Sequence, residues 1–347
     1  MVTQDDIAKK LNISRATVSR ALKGENVSEK TRQYVLEEAE RMGYVPNSAA
    51  TILALKNTKT IYAFIIATVD EGYGKQTYEG ILEASNIWRG YNLEIEVIFT
   101  DINKDKNQCK KQIEEFYNVV DNNHVDGIIF SALSSENMEI VTKECKERKI
   151  PIMTLDMIYT NSELCHVGPN YYNLGTYSAA YMSNLMMRKG KILILNYDEG
   201  YELSLERMRG FREKLGEYNK INPKYINLNE MSLNSYTKAL DDHLDTFSPV
   251  AIYAPYHMDY IGKYLKNRGI EDEIILISNG INKQIEDYLF DGTINGIVSA
   301  RPYFLGAVVT NNFYKYFYRP KDILRGNIDV ACDIYIKENY IRYDKIF

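Results

Sequence analysis

Hydrophobic residues are spaced in two different ways along this chain. Up to about residue 45 they recur at intervals of three and four, the spacing of short amphipathic helices, and from about residue 60 they gather into apolar blocks separated by helical stretches. In the first region Ile7, Ala8 and Leu11 share one face of a helix, with Thr3 placed to cap it and Asp5 and Asp6 in its first turn, where negative charge complements the helix dipole. After a turn at Asn12, Ser14 caps a second helix whose inward stripe is Val18, Ala21 and Leu22. A third helix is predicted by Ser28 as cap, Glu29 in the first turn, apolar Val35, Leu36, Ala39 and Met42, and Gly43 as stop. In the second region Ile61-Tyr62-Ala63-Phe64-Ile65-Ile66-Ala67 reads as a buried strand, followed by a helix near 77–89 closed by Gly90, a strand over 93–99 and a helix around 106–122. Val125-Asp126-Gly127-Ile128-Ile129-Phe130, Ile152-Met153-Thr154-Leu155, Lys191-Ile192-Leu193-Ile194-Leu195, Val250-Ala251-Ile252-Tyr253 and Ile274-Ile275-Leu276-Ile277 repeat the theme. Continuous apolar strands alternating with helices predict an α/β body built on parallel sheets, with any ligand beyond the carboxyl ends of the strands.

The inward stripe of the second helix leaves Arg15, Ala16, Ser19 and Arg20 pointing outward. Two helices joined by a tight turn are the sequence form of a DNA-binding helix-turn-helix. An arginine can pair bidentately with guanine, worth about 1–3 kcal/mol of discrimination, and an alanine can touch a thymine methyl. Ser14, Thr17 and Asn26 suit phosphate contacts that fix register. The same pattern also fits an amphipathic helical pair with a solvated basic face, so spacing alone leaves both readings open.

Further elements follow in order: Asp6-Ile7-Ala8, Ser14-Arg15-Ala16-Thr17-Val18-Ser19-Arg20, Val27-Ser28-Glu29-Lys30-Thr31-Arg32 and Gly43-Tyr44-Val45-Pro46-Asn47. Taken together, these make the first sixty residues similar to the DNA-binding domain of the lactose repressor (LacI/GalR) family. The resemblance implies that Asn47 joins the DNA contacts and that the segment after it is a hinge helix, folding on the operator and inserting Leu53 into the minor groove. An apolar wedge of that kind unstacks a base step for a few kcal/mol, offset by contacts that the bent duplex allows. The other reading of 49–55 is an apolar linker packed on its own domain. Relatives often carry Ala-Arg before the hinge, whereas this chain has Ala50-Thr51 and lacks that basic contact.

The body resembles the two-lobed type I periplasmic-binding-protein-like effector domain of the same family. The marks are Val125-Asp126-Gly127-Ile128-Ile129, Ile150-Pro151-Ile152 leading to Leu155-Asp156, Val167-Gly168 with Gly175, Arg207-Met208-Arg209-Gly210-Phe211 and Ile334-Tyr335-Ile336-Lys337-Glu338-Asn339. The expected fold class is therefore α/β, with an N-terminal all-α helix-turn-helix domain over 1–46, a hinge helix and linker over 47–60, and the effector-binding and dimerisation domain over 61–347. Lobe 1 is expected at about 61–158 and 303–318 and lobe 2 at about 162–299 and 323–347, with crossovers near 156–162, 299–303 and 318–323. The resemblance puts an effector cleft between the lobes. Asp156, after an apolar strand, would accept hydrogen bonds from ligand hydroxyls. Arg207 stands where the family has an effector-clamping arginine, whose fork suits paired oxygens. Asn279 falls near a position where relatives often carry aspartate, and Tyr73 where they tend to place an aromatic that covers a sugar face.

Charge agrees with that division. Of 42 basic and 47 acidic residues, the first sixty positions hold 10 and 7, leaving 32 and 40 for the rest, so the two parts carry about +3 and −8. The basic excess sits where DNA contact is expected. Cys109, Cys145, Cys165 and Cys332 are scattered and lack zinc-ligand spacing, as expected of reduced cytoplasmic thiols. Charges at Asp5, Asp6, Lys9 and Lys10 oppose a signal peptide, and apolar stretches such as 61–69 are too short to span a bilayer.

Enzyme readings find little support. The sequence has no G-x-S-x-G, H-E-x-x-H or G-x-x-x-x-G-K-[ST]; Gly72-Tyr73-Gly74 reads as a flexible loop, and Ser235-Tyr236-Thr237-Lys238 as a helix surface. His124, His166, His243 and His257 are isolated, and no cofactor or metal is expected. The expectation is a ligand-responsive transcription regulator, most simply a repressor. It would bind a pseudo-palindromic operator as a homodimer, because only eight residues follow Asn339, too few for the tetramerising helix of some relatives. Its effector would be a sugar or sugar-like molecule. The competing reading is a solute-binding receptor of transport or chemotaxis that shares the body fold, which would leave the first sixty residues unexplained.

Overall fold

Residues 2–23, 27–44, 58–67, 72–101, 107–156, 164–197 and 202–340 are described by the structure, a computed structural model. The chain divides into two compact units, Met1–Asn57 and Thr58–Phe347.

The first unit holds α1 (Gln4–Leu11), α2 (Arg15–Lys23) and α3 (Glu29–Arg41). Each begins on a short hydroxyl side chain that satisfies an otherwise orphaned amide. The Thr3 hydroxyl accepts the Asp6 N–H at 3.3 Å while the Asp6 carboxylate accepts the Thr3 N–H at 2.8 Å, a reciprocal capping box. The Ser14 hydroxyl accepts the Thr17 N–H at 3.0 Å, and that of Ser28 accepts the Thr31 N–H at 3.2 Å. Asn12 ends α1 in the left-handed conformation (φ 53°), which asparagine tolerates. Ile7, Ala8, Val18, Ala21, Val35 and Ala39 form the buried centre.

The second unit is two α/β lobes of one topology. Lobe 1 contains β1 (Lys59–Ala67), α4 (Tyr73–Arg89), β2 (Leu93–Asp101), α5 (Gln108–Asn122), β3 (Gly127–Ser131), α6 (Ser135–Arg148), β4 (Ile152–Leu155) and β5 (Cys165–Pro169). Lobe 2 contains α7 (Tyr171–Leu185), β6 (Gly190–Asn196), α8 (Glu202–Gly216), β7 (Ile221–Asn227), α9 (Leu233–Phe247), β8 (Ala251–Tyr253), α10 (Met258–Arg268), β9 (Ile275–Ser278), α11 (Lys283–Asp291) and β10 (Gly296–Ser299). The chain then returns through α12 (Pro302–Tyr318) and β11 (Gly326–Val330) to lobe 1 and ends the described region with β12 (Asp333–Tyr335) in lobe 2. The strand orders, β11-β5-β4-β3-β1-β2 and β12-β10-β9-β8-β6-β7, are equivalent, and every pairing is parallel except β10 with β12. Each sheet is buried on both faces by apolar clusters, such as Phe64, Phe116 and Phe130 on one face of lobe 1.

The lobe boundaries differ from the expected ones. Strand β5 pairs with β4, and β11 with β5, so 165–169 and 326–330 belong to lobe 1 rather than lobe 2. The crossovers therefore lie between β5 and α7, between β10 and α12, and between β11 and β12. The cause is local. Cys165-His166-Val167-Gly168-Pro169 has no apolar run, yet it is buried as an inner strand paired with β4 on one side and β11 on the other, where the His166 ring meets the Thr154 hydroxyl at 3.0 Å. Gly72-Tyr73-Gly74 is not a loop but the start of α4, and a Cβ on Gly72 would lie 1.5 Å from the Ile281 carbonyl oxygen of lobe 2. Glycine is what lets the lobes touch there.

Burial pushes the His166 imidazole down to about 4, below its ordinary 6.5. Its neutral form is thus the folded form. Above pH ~6.5 the folded and unfolded states carry the same charge; as pH falls from there towards 4 the unfolded chain gains a proton that the folded one refuses, and up to ~3 kcal/mol of stability is lost. His166→Gln is expected to lose less stability than wild type between pH 7 and 4.5 in urea titrations. Identical losses would contradict this.

Candidate DNA-reading helix and interlobe cleft

On α2, Ser14, Arg15, Ala16 and Arg20 are exposed and Thr17 and Ser19 half-buried, while Val18 and Ala21 are fully buried. The outward row is therefore built by the inward one. The Ser14 and Thr17 hydroxyls lie 2.8 Å apart, and the Arg15 guanidinium is 3.6 Å from the Asp5 carboxylate. Both members of that pair are exposed, so it holds Arg15 only weakly. Asn26, Asn47 and Leu53 lie outside the described residues.

In the second unit, polar side chains from both lobes converge beyond the carboxyl ends of the strands, as the winding of such sheets requires. Asp156 follows β4 with a left-handed backbone (φ 65°). Its carboxylate accepts hydrogen bonds from the Tyr73 hydroxyl at the start of α4 and, at 3.0 Å, from the Ser131 hydroxyl at the end of β3. Burial raises the Asp156 carboxyl, and those two hydrogen bonds oppose the shift. Burial also raises the Tyr73 phenol, assisted by the adjacent carboxylate. Tyr171, the first residue of α7, brings its hydroxyl to that of Tyr73 from across the cleft and is itself raised by burial.

The lobe 2 wall centres on Arg207 in α8, only 6% exposed. Its guanidinium lies 4.5 Å from the centre of the Tyr256 ring, a cation–π contact. The Tyr256 hydroxyl receives a hydrogen bond from Ser204 at 3.1 Å. The Tyr253 ring stacks on Phe211 at 3.9 Å, and its hydroxyl donates to the Asn279 carbonyl at 2.6 Å. The Asn279 amide in turn donates to Ser178 Oγ at 2.8 Å and to the Val298 carbonyl at 3.1 Å. Asn279 therefore acts through Tyr253 and has no amide proton left over. Of the four cleft residues expected from sequence, Tyr73 and Asp156 bond each other, Arg207 faces Tyr171 and Tyr256, and Asn279 supports the lobe 2 wall.

Ser131, Tyr171, Tyr253 and Tyr256 were not anticipated. Their only sequence signal is position, at a strand end, at a helix start or in the loop after a strand, and among 29 tyrosines that signal is faint. Among the described residues no group of three or more His, Cys, Asp or Glu could hold a metal ion, and no helix is long and apolar enough to cross a membrane.

A helix-turn-helix unit in one chain with a two-lobed, cleft-bearing α/β body defines a class: a DNA-binding regulator with a ligand-binding-type domain. Residues 3–47 match the model of bacterial regulatory proteins of the lacI family, and 62–317 that of the periplasmic binding protein domain. The body of the chain therefore belongs to the periplasmic binding protein domain family, and its first residues carry the DNA-binding domain of lacI-family bacterial regulatory proteins. It is 33% identical over 171 residues to catabolite control protein A of Priestia megaterium, covering 49% of this chain and 48% of that protein. It is 28% identical over 191 residues to the HTH-type transcriptional regulator pepR1 of Lactobacillus delbrueckii subsp. lactis, covering 55% and 53%. The chain thus spans about half the length of the curated relatives it matches. A glucose-galactose binding protein from Geobacillus stearothermophilus shares the body fold with a TM-score of 0.69 at 18% identity, over 82% of this chain and 99% of that one.

Proposed function

We propose that this chain binds a pseudo-palindromic operator as a homodimer, acts as a repressor, and adjusts its DNA affinity to a small sugar-like effector held between the lobes. The observation that carries the DNA reading is the exposure of Arg15, Ala16 and Arg20 from a helix whose opposite face is fully buried. Arg15, Ala16, Ser19 and Arg20 read base edges, and Ser14, Thr17 and Asn26 fix register on phosphates. Asn47 and Leu53 extend the contacts to the minor groove. A twofold dimer presents two such helices to two half-sites.

Asp156 and Arg207 hold the effector from opposite lobes, with Tyr73 at its side and Asn279 acting through Tyr253. Closing the lobes around the effector alters the separation of the two hinge segments. The coupling is reciprocal, so an effector that weakens DNA binding is itself bound less tightly by the DNA complex. No membrane or cofactor enters this scheme, and the site of action is the cytoplasm.

Arg20→Ala tests the readout. Selection of bound duplexes should show base preference relaxed at one position in each half-site, by about 1–3 kcal/mol, with neighbouring positions unchanged. A preference profile identical to wild type would remove Arg20 from the interface and count against α2 as the reading helix.

A further inference from the structure

Charge is unevenly spread over the body. Residues 61–347 carry about −8, from 32 basic and 40 acidic residues, yet six cations gather where β6 and β7 begin: Arg188, Lys189, Lys191, Lys214, Lys220 and Lys224. The two strands are parallel neighbours, with Gly190 opposite Ile221 and Leu193 opposite Lys224, so their amino ends lie side by side. Two rings hold four of these cations. Lys191 Nζ and Lys224 Nζ lie 5.5 and 5.4 Å from the centre of the Phe247 ring, and the Arg188 guanidinium and Lys214 Nζ lie 6.0 and 5.8 Å from that of Tyr218. Lys224 also donates to the His243 ring at 3.2 Å, and Lys214 pairs with Glu217 at 2.5 Å.

Cations in the last turns of α7 and α8 complement the helix dipoles, which accounts for Arg188, Lys189 and Lys214. It does not account for Lys191, Lys220 and Lys224, which come from β6, the turn before β7 and β7 itself. Like charges set side by side on neighbouring strands cost stability. The backbone adds to that cost, because Met187 and Arg188 both take the left-handed conformation (φ 51° and 58°) that residues other than glycine seldom adopt. Arg188, Lys189, Lys191 and Lys220 are all exposed. A protein interface needs an apolar centre, and the exposed apolar side chains within this cluster are Met187 and Val250, too few to supply one. Cations of one sign over a polar surface fit a phosphate backbone instead.

We propose that the amino end of the lobe 2 sheet is a second DNA-binding surface, which holds the phosphates of a duplex without regard to base sequence. It lies away from the cleft, which opens beyond the carboxyl ends of the same strands. One chain then engages DNA at two places, and a regulator seated on one segment gathers another. The first place is α2, as proposed above; the second does not depend on it.

The test uses the full chain and short fluorescent duplexes of random sequence. Arg15→Gln with Arg20→Gln weakens the α2 contact and exposes binding elsewhere. In that background Lys191→Gln with Lys224→Gln should weaken duplex binding about tenfold or more at low salt, and make its logarithmic dependence on salt shallower by about two. Lys263→Gln with Lys283→Gln, the same change of charge elsewhere on lobe 2, should do neither. With α2 intact, a duplex already held should capture a second, labelled one, and Lys191→Gln with Lys224→Gln should release the second while keeping the first. Unfolding midpoints check that each variant folds.

Equal effects of the two lysine pairs overturn the inference, as does retention of poly-L-glutamate by the cluster where the duplex is not retained, which would assign it to an acidic protein. Loss of both duplexes together would make the cluster part of one shared contact, and also overturns it. If Arg15→Gln with Arg20→Gln leaves all duplex binding unchanged, the α2 reading fails and the lobe 2 surface stands.

Discussion

Ile7→Ala is expected to abolish sequence-specific DNA binding while leaving the unfolding transition of residues 58–347 in place. Ile7 is fully buried in a centre that, among the described residues, comprises six buried side chains of the first unit. Removing its side chain costs ~2–5 kcal/mol, and a unit of this size has little stability to lose. Calorimetry of the full chain should show the first-unit transition lowered or lost and the larger transition unmoved, with operator affinity falling to the nonspecific level. A common shift of both transitions would mean that the two units fold as one.

Gly175→Ala should destabilise lobe 2 by ~3 kcal/mol or more and weaken ligand binding with it. A Cβ on Gly175 would lie 1.9 Å from the Arg207 carbonyl oxygen, and one on Gly210 would lie 2.0 Å from that of Tyr172, so α7 and α8 touch through glycine on both sides. Backbone cannot rotate away as a side chain can. The helices must separate, and the backbone displaced is that of Arg207, moving the guanidinium off the Tyr256 ring. Gly216→Ala, at the end of the same α8 with nothing within 4 Å of the added Cβ, is the control and should change stability by a few tenths of a kcal/mol at most. Comparable losses in the two variants would show that the α7–α8 contact is looser than described. Lobe 1 repeats the arrangement with Gly80 and Gly306 between α4 and α12, which sets the position of Tyr73.

What could be read from sequence was local, and what could not was convergent. Thr3, Ser14 and Ser28 announce their helices because a cap acts over three residues, and each makes its expected bond. The central strands announce themselves because burial on both faces demands unbroken apolar runs, as in 61–66 and 192–195. Strand β5 hides its burial behind His166 and Pro169, and β7, an edge strand containing Pro223, was not anticipated either. The alternating β11 gives no sign of which sheet it joins, which is why two crossovers were misplaced. In the cleft, Asp156 and Arg207 were legible by resemblance, but the tyrosines around Arg207 come from the start of α7, the end of β8 and the loop after β8. Only folding brings Tyr171, Tyr253 and Tyr256 to one guanidinium. The expected hinge segment, with Leu53, falls outside the described residues.

The most direct measurement of the central claim is selection of bound sequences from a random duplex pool by the purified full chain at physiological salt. Enrichment of an inverted repeat with a pyrimidine–purine step at its centre is the predicted result, since two α2 helices read the half-sites and two hinge segments open the central step. Enrichment of a single unrepeated site would contradict the dimer, and no enrichment would contradict α2 as a DNA-reading helix.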